Sequence, residues 1–178
     1  MKHGDVVIDL GAAPGGWIQA SRNIIGNKGF VLGVDLKQIQ PFNSSTIRTL
    51  IGDIREPQVV QQIKEFLPHD ADVVISDVAP NVSGIWELDH ARQIDLAKHS
   101  LRIATLVLRS RGNFFVKTFQ GGLLNDFARE VKKHFVQVKR VKPKASRAKS
   151  AELYVLGINL GRPGKQTIRP RPFSILLD

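Results

Sequence analysis

Short apolar runs alternate along the chain with segments in which apolar residues recur every three or four positions. The runs predict β-strands and the periodic segments predict helices between them. The predicted strands are residues 6–10, 30–35, 47–51, 72–77, 113–118, 136–141 and 152–158, and the predicted helices are residues 17–25, 59–67, 90–109 and 123–135. This alternation is typical of a parallel sheet with helices on both faces.

The last two predicted strands are joined by residues 142–149, which contain no apolar helix. A connection without a crossover element predicts an antiparallel final pair. We therefore expect a Rossmann-like α/β fold with a seven-stranded, mostly parallel sheet. Residues 1–160 are expected to form one domain, followed by a proline- and arginine-containing tail over residues 161–178.

Length and composition limit the classes of protein to consider. A chain of 178 residues with 42% hydrophobic content suits one domain. It has no apolar stretch near the ~18 residues that would predict a membrane span, so we expect a soluble, cytoplasmic monomer. Cysteine is absent and the five histidines are scattered, so we expect no metal site.

The charge of the chain indicates its partner. The formal net charge is +10, and residues 132–149 contain eight Lys or Arg and no acidic residue. A block of one sign can be an ordinary solvated surface. On a small basic domain, however, it favours a polyanion, and we expect RNA rather than a membrane.

Charged residues also end the predicted strands. In an open parallel sheet the ligand binds at the carboxyl ends of the strands. The residues at those ends are Asp9, Asp35, Asp53, Asp77 and Lys117. Four carboxylates and a lysine at one edge predict a functional site.

The turn after the first strand loosely fits a dinucleotide fingerprint, through Gly11, Ala13 and Gly16. Pro14 removes a backbone donor that a pyrophosphate would use, and the strand-end acids would repel an anion. A cationic ligand that carries adenosine fits better, and S-adenosylmethionine is such a ligand. Asp35 suits its ribose and Asp53 its adenine amine, while the remaining carboxylates suit its positive charges. An NAD(P)-linked oxidoreductase is the alternative.

Six sequence blocks carry a family resemblance: DLGAAPGGW at 9–17, GVDL at 33–36, GDI at 52–54, SDVAPNVSG at 76–84, FVKTFQG at 115–121 and SRAKSAELYVL at 146–156. In this order they resemble the FtsJ/RrmJ family of RNA ribose 2′-O-methyltransferases. The resemblance implies catalytic roles for Lys117, Asp77 and Glu152. It also implies a set of residues that bind S-adenosylmethionine: Gly11, Pro14, Gly15, Trp17, Asp35, Leu36, Asp53, Ile54 and Asp77.

The resemblance further implies a ribose 2′-hydroxyl as methyl acceptor, in large-subunit ribosomal RNA. Aromatic residues, which stack on unpaired bases, make up only 7% of the chain, so we expect a larger RNA or ribosomal assembly to present the substrate. Transfer RNA and messenger RNA caps are alternative substrates, and a non-catalytic RNA-binding relative is a third reading. The family places a fourth catalytic residue, a lysine, on a helix before the first strand. Lys2 lies too close to that strand to serve, so either a preceding helix is missing or three residues suffice.

The chemistry leaves the form of Lys117 open. A neutral amine could take the proton of the ribose hydroxyl, whereas an ammonium could orient the hydroxyl and stabilise negative charge on its oxygen. Each residue also has a structural interpretation. Asp77 could bind turn amides, Lys117 could extend to solvent, and Glu152 could protect an edge strand. We expect Asp9 to brace the loop amides after the first strand.

Overall fold

The computed structural model describes residues 1–142 and 150–161, which form one sheet and its flanking helices. The strands are β1 (Val6–Leu10), β2 (Phe30–Asp35), β3 (Ile47–Ile51), β4 (Ala71–Ser76), β5 (Leu108–Phe119), β6 (Phe135–Val141) and β7 (Glu152–Leu160), and the helices are α1 (Gly16–Ile25), α2 (Val59–Phe66), α3 (Trp86–Val107) and α4 (Leu124–His134). The predicted tail beyond residue 161 lies outside the described residues.

The sheet has the strand order β3-β2-β1-β4-β5-β7-β6. Neighbouring strands from β3 to β5 are parallel, and β7 runs antiparallel to both β5 and β6. The predicted mixed sheet of seven strands is therefore confirmed. The order reverses at β1, which lies between β2 and β4, and such a reversal opens a crevice at the carboxyl ends of the strands.

Apolar residues pack on both faces of the sheet, as the sequence predicts. The larger cluster lies under α2, α3 and α4 and includes the fully buried rings of Phe114 and Phe127. The smaller one lies under α1, where Ile18 and Ile25 pack on Val7 and Val31. The sheet is thus held rigidly from both sides, while its carboxyl edge is left to loops.

Two boundaries differ from prediction by more than two residues. Helix α3 begins at Trp86, before the predicted residue 90, because the Asp89 carboxylate accepts the N–H groups of Ser83 and Gly84 and so holds the preceding loop. Strand β5 begins at Leu108 rather than residue 113. The polar run that follows Leu108 hides this start, and the ladder to β4 is irregular there.

Candidate active site

The glycine-rich turn between β1 and α1 depends on two glycines. Gly11 and Gly15 have positive φ angles of 78° and 118°. A Cβ atom at Gly11 would lie 2.8 Å from the side chain of Val78, and one at Gly15 would lie 2.8 Å from the ring of Phe42. Backbone conformation and close approach therefore both require glycine. The peptide bond between Ala13 and Pro14 is cis.

The expectation that Asp9 braces this turn is wrong. The N–H groups of Gly11 and Ala12 donate to the carbonyl oxygen of Val34, and that of Ala13 donates to Asp35 Oδ2 at 2.9 Å. The end of β2 therefore holds the turn. Asp35 keeps acceptor capacity beyond these contacts, because a carboxylate can accept about four hydrogen bonds.

Asp9 is instead a buried carboxyl group without a partner. Its side chain is fully buried, and neither oxygen has a hydrogen-bond partner among the described residues. Burial raises the pKa of Asp9 to about 7, and the nearby carboxylates of Asp77 and Asp35 add to the rise. Buried polar groups are nearly always satisfied, so this exception marks a position where a ligand is expected.

Asp77 and Lys117 form an ion pair beside Asp9, in which the lysine is buried and the carboxylate is partly exposed. Lys117 Nζ lies 3.2 Å from Asp77 Oδ1 and donates to the backbone oxygen of Asp77 at 2.8 Å. Lys117 is only 7% exposed, so its side chain does not extend to solvent. The carboxylate of Asp77 binds side chains rather than turn amides. The structure therefore brings together two of the three predicted catalytic residues.

Tyr154 completes this group, and sequence reasoning did not single it out. It lies directly opposite Lys117 in the β5–β7 ladder, and its hydroxyl donates to Asp77 Oδ1 at 3.1 Å. Burial and the charge of Asp77 raise the pKa of Tyr154, so the phenol remains protonated. A polar aromatic residue two positions after Glu152, on the same face of a strand, is the signal that could have found it.

Aromatic rings enclose the pair. Tyr154 stacks on Phe115 with ring centroids 4.5 Å apart, and Trp17 packs against both rings at about 6 Å. The three rings pack around Asp9 and Asp77 and leave no water-sized space between them. The predicted cofactor residue Trp17 therefore lies at the predicted catalytic group. The apolar surfaces of these rings strengthen the electrostatic interaction between Lys117 and Asp77.

Glu152 lies further out on the same face. It pairs with Phe119 in the ladder, one alternation beyond the Lys117–Tyr154 pair, which is about 7 Å along the strand. Its side chain is exposed, unlike that of Lys117. Lys2 precedes the amino end of β1, at the edge of the sheet opposite Lys117, so it takes no part in this site.

The other predicted cofactor residues follow β2 and β3. Leu36 is exposed beside Asp35, and Ile54 is buried in the larger core cluster. Asp53 is engaged by Arg55, whose guanidinium nitrogens lie 2.6 and 3.0 Å from its oxygens. The Arg55 side chain holds the pKa of Asp53 below its usual value. An adenine amine would share this carboxylate with Arg55.

Gln93 on α3 contacts the ends of the strands next to Asp77 and Lys117. Its buried side-chain amide donates to the backbone oxygens of Val78 at 3.0 Å and Lys117 at 2.9 Å. The helix is thereby fixed to the ends of β4 and β5. A glutamine one position before Ile94, within an otherwise apolar stripe, was the available signal.

Possible metal ligands and a cavity among the described residues also bear on the site. No three acidic or histidine side chains there are arranged to hold a metal ion. A cavity of about 480 Å³ lies between α1 and the β2–β3 loop, lined by Arg22, Asn27 and Phe42 among others. It contains none of the strand-end carboxylates, so we assign the chemistry to the site around Lys117.

Of the basic segment over residues 132–149, the structure describes residues 132–142 and residues 143–149 lie outside the described part. Lys133 pairs with Glu130, and Arg140 donates to Asn125. Lys139 is exposed on β6, two strands from Lys117. In the part of the chain that the structure describes, no helix is long and apolar enough to cross a membrane.

Comparisons with known proteins identify relatives of this chain. The chain is 48% identical over 159 residues to ribosomal RNA large subunit methyltransferase E of Methanocaldococcus jannaschii, covering 88% of this chain and 65% of that protein. It is 51% identical over 160 residues to the enzyme of the same name from Methanothrix thermoacetophila, covering 90% and 61%. The chain thus spans about three fifths of the length of these curated relatives.

Solved structures show the same fold. A protein described as a ribosomal RNA methyltransferase from Plasmodium falciparum superposes with a TM-score of 0.77 at 25% identity, covering 90% of each chain. Fibrillarin of Aeropyrum pernix, solved with bound S-adenosyl-L-methionine, has a TM-score of 0.64 at 16% identity, covering 88% of this chain and 67% of its own. Residues 1–160 match the FtsJ-like methyltransferase family. The resemblance predicted from the six sequence blocks is confirmed, and the chain belongs to the FtsJ-like methyltransferase family.

Proposed function

We propose that this protein transfers the methyl group of S-adenosylmethionine to a ribose 2′-hydroxyl of large-subunit ribosomal RNA, acting in the cytoplasm as a monomer. The observation that carries the proposal is the pairing of the buried Lys117 with Asp77 at the edge where the sheet order reverses. Family membership supports methyl transfer, and the names of the archaeal relatives support the ribosomal substrate.

The residues at this edge suit S-adenosylmethionine. Asp9 offers two buried oxygens that have no partner among the described residues, and Asp77, which lies near it, adds a second carboxylate. Both would hold positive charge, and Trp17 provides an aromatic face for a cation. Asp35, at the end of β2, would hold the ribose hydroxyls. This donor set fits a cationic nucleoside and disfavours a diphosphate.

The cofactor supplies an electrophilic methyl group, and the protein must align the acceptor oxygen with it. Lys117 has three N–H donors in its ammonium form, and two of them are engaged by Asp77. Both contacts use oxygen acceptors, so the ammonium form keeps one N–H donor free. The third donor would bind the 2′-oxygen and stabilise its developing negative charge.

Asp77, Tyr154 and Glu152 have supporting roles in this mechanism. Asp77 fixes the position of Lys117, and the Tyr154 hydroxyl fixes the carboxylate of Asp77. Glu152 is exposed at the entrance, on the face that carries Lys117. There it would accept the hydroxyl proton, or pass it to water, as the new C–O bond forms.

Transfer of a radiolabelled methyl group tests the proposal. Large ribosomal subunits that lack the modification, total transfer RNA and capped messenger RNA would each be incubated with labelled S-adenosylmethionine. A 2′-O-methyl group prevents cleavage of the adjacent phosphodiester in alkali, so label in alkali-resistant dinucleotides identifies the acceptor atom. We expect such label from ribosomal subunits. Label in mononucleotides would contradict ribose methylation, and label only in transfer or messenger RNA would contradict the ribosomal substrate.

A further inference from the structure

Exposed apolar side chains lie around the start of α3, among them Ile85, Trp86 and Leu123, and the mechanism above does not use them. Ile85, Trp86 and Leu123 are 59%, 45% and 44% exposed. We call these three residues the Trp86 patch. Exposing large apolar groups to water is unfavourable, so a group of them beside a functional site indicates a ligand surface.

The Trp86 patch is held in place from below. The ring of Trp86 packs on His90 and Phe119, with centroids 6.1 and 6.0 Å away and small interplanar angles. His90 Nε2 accepts the N–H of Leu123 at 3.1 Å, which fixes the loop after β5. Burial lowers the pKa of His90, so its ring is neutral. The indole is therefore preorganised and uncharged, yet nearly half of it faces solvent.

The position of Trp86 follows from helix geometry. Gln93 lies seven residues further along α3, which is two turns, so Trp86 and Gln93 share one side of the helix about 10 Å apart. The Gln93 amide contacts the backbone oxygen of Lys117. Phe119, under the indole, pairs with Glu152 in the sheet. The patch therefore lies just outside the Lys117–Glu152 face, on the route to it.

We propose that the Trp86 patch stacks an unpaired base of the RNA strand, next to the nucleotide whose ribose is placed at Lys117. This inference rests on the proposed function. The exposed indole face is about the size of one base, whereas a stable protein interface buries ~800 Å² per partner. Aromatic faces bind unpaired bases of any sequence, and the net charge of +10 attracts the strand that carries them.

Substitutions of Trp86 test the proposal in the full-length chain. The variants are Trp86→Ala, Trp86→Leu and Trp86→Phe, of which only the last keeps a ring. The matched control is Leu106→Ala, at the other end of α3, because Leu106 is 47% exposed and distant from the site. The measurements are KM for RNA, kcat, and affinity for S-adenosylmethionine.

We expect Trp86→Ala and Trp86→Leu to raise KM for RNA roughly 10- to 100-fold, the usual value of one stacked base. Trp86→Phe should recover most of this loss, and Leu106→Ala should change nothing. Affinity for S-adenosylmethionine should stay the same in all four variants. A normal KM in Trp86→Leu would overturn the proposal, because apolar packing alone would then suffice. A loss seen with ribosomal subunits but not with protein-free RNA would also overturn it and identify a protein partner.

Fluorescence separates this inference from the proposed function. A single-stranded oligouridylate should quench the emission of the wild type by stacking on Trp86, and Trp86→Phe should lose that quenching. Quenching without any methyl transfer by the wild type would refute the proposed function and support the stacking site. Methyl transfer without quenching would refute the stacking site alone.

Discussion

Two buried aspartates lie on neighbouring strands at opposite edges of the sheet, and their surroundings differ. Asp72, at the amino end of β4, accepts the N–H of Val6 at 2.8 Å and Arg109 Nε at 2.5 Å. Asp9, near the carboxyl end of β1, has no partner among the described residues. Burial alone would raise the pKa of both. For Asp72 the Val6 amide and Arg109 outweigh burial and hold the pKa low.

Asp72 therefore stabilises the fold, whereas Asp9 is the carboxyl group at which a ligand is expected. At the amino edge, the carboxylate is satisfied and joins β1 to the start of β5. At the carboxyl edge, Asp9 costs stability and is packed beside Asp77 and Trp17. Proteins retain such costs where a ligand repays them. Substitutions at the two edges should therefore affect different measurements.

The largest effect is expected at the lysine of the carboxyl edge. Lys117→Met should lower kcat about 10²- to 10⁴-fold, because the acceptor oxygen loses its positive partner. Arg109→Met is the matched control, since it removes the cation of the Asp72 pair. It should leave kcat of the folded enzyme unchanged.

Lys117→Arg decides the form in which Lys117 acts, because arginine remains protonated. Substantial activity is expected if the ammonium orients the hydroxyl. Inactivity with normal cofactor and RNA affinity would instead support a neutral base. Rate profiles against pH for wild type and variant provide the measurement.

The next effect is a stability difference at Asp9. The unfolded carboxyl titrates near 3.8 and the folded one near 7. Between these values the unfolded chain ionises first, so the free energy of unfolding falls as pH rises, by on the order of 4 kcal/mol. It should be constant above about pH 7. Asp9→Asn should abolish this decline and make the cofactor-free protein more stable than wild type at pH 8. Urea unfolding of both proteins at pH 5 and pH 8 measures these free energies. An equal change in the free energy of unfolding between the two pH values in both proteins would contradict the raised pKa of Asp9.

Asp72→Asn should have the opposite sign. The substitution weakens the contact with Arg109 and with the Val6 amide, so the free energy of unfolding should fall by about 2 kcal/mol. This value is lower than that of a fully buried ion pair, because the Arg109 side chain is 41% exposed. Methyl transfer per folded molecule should not change. Unfolding and rate measurements on one preparation check both statements, and a lower kcat would show that the amino edge also acts in catalysis.

The smallest effect is expected at Tyr154. Tyr154→Phe removes one hydrogen bond to Asp77 and keeps the stack on Phe115, so kcat should fall about three- to tenfold. Cofactor affinity should change little. A loss as large as that of Lys117→Met would show that the phenol contacts the reacting atoms.

The sequence predicted the elements better than their contacts. Strands β1, β2 and β3 match prediction at both ends, because each is a short apolar run bounded by turn residues. The start of α3 was missed, because the loop before it is held by Asp89 rather than by a capping residue at the helix start. Such contacts join residues that no local pattern relates.

The site shows the same limit. Asp77 and Lys117 were predictable, because strand ends of a parallel sheet meet at one edge. The state of Asp9 was not, since it depends on Val34 and Asp35 taking the loop amides that Asp9 was expected to bind. The partners of Gln93 were equally hidden, because they are backbone oxygens at the ends of two other strands.

Calorimetric titration of S-adenosylmethionine into wild type, Asp9→Asn and Asp72→Asn at pH 6 tests the central claim most directly. At this pH Asp9 is mostly protonated, so binding of a cation should expel its proton. Titrations in two buffers of different ionisation enthalpy should therefore show release of close to one proton by wild type and Asp72→Asn. Asp9→Asn should release none and bind at least tenfold more weakly. Wild-type affinity and proton release in Asp9→Asn would show that the carboxyl edge does not hold the cofactor as described.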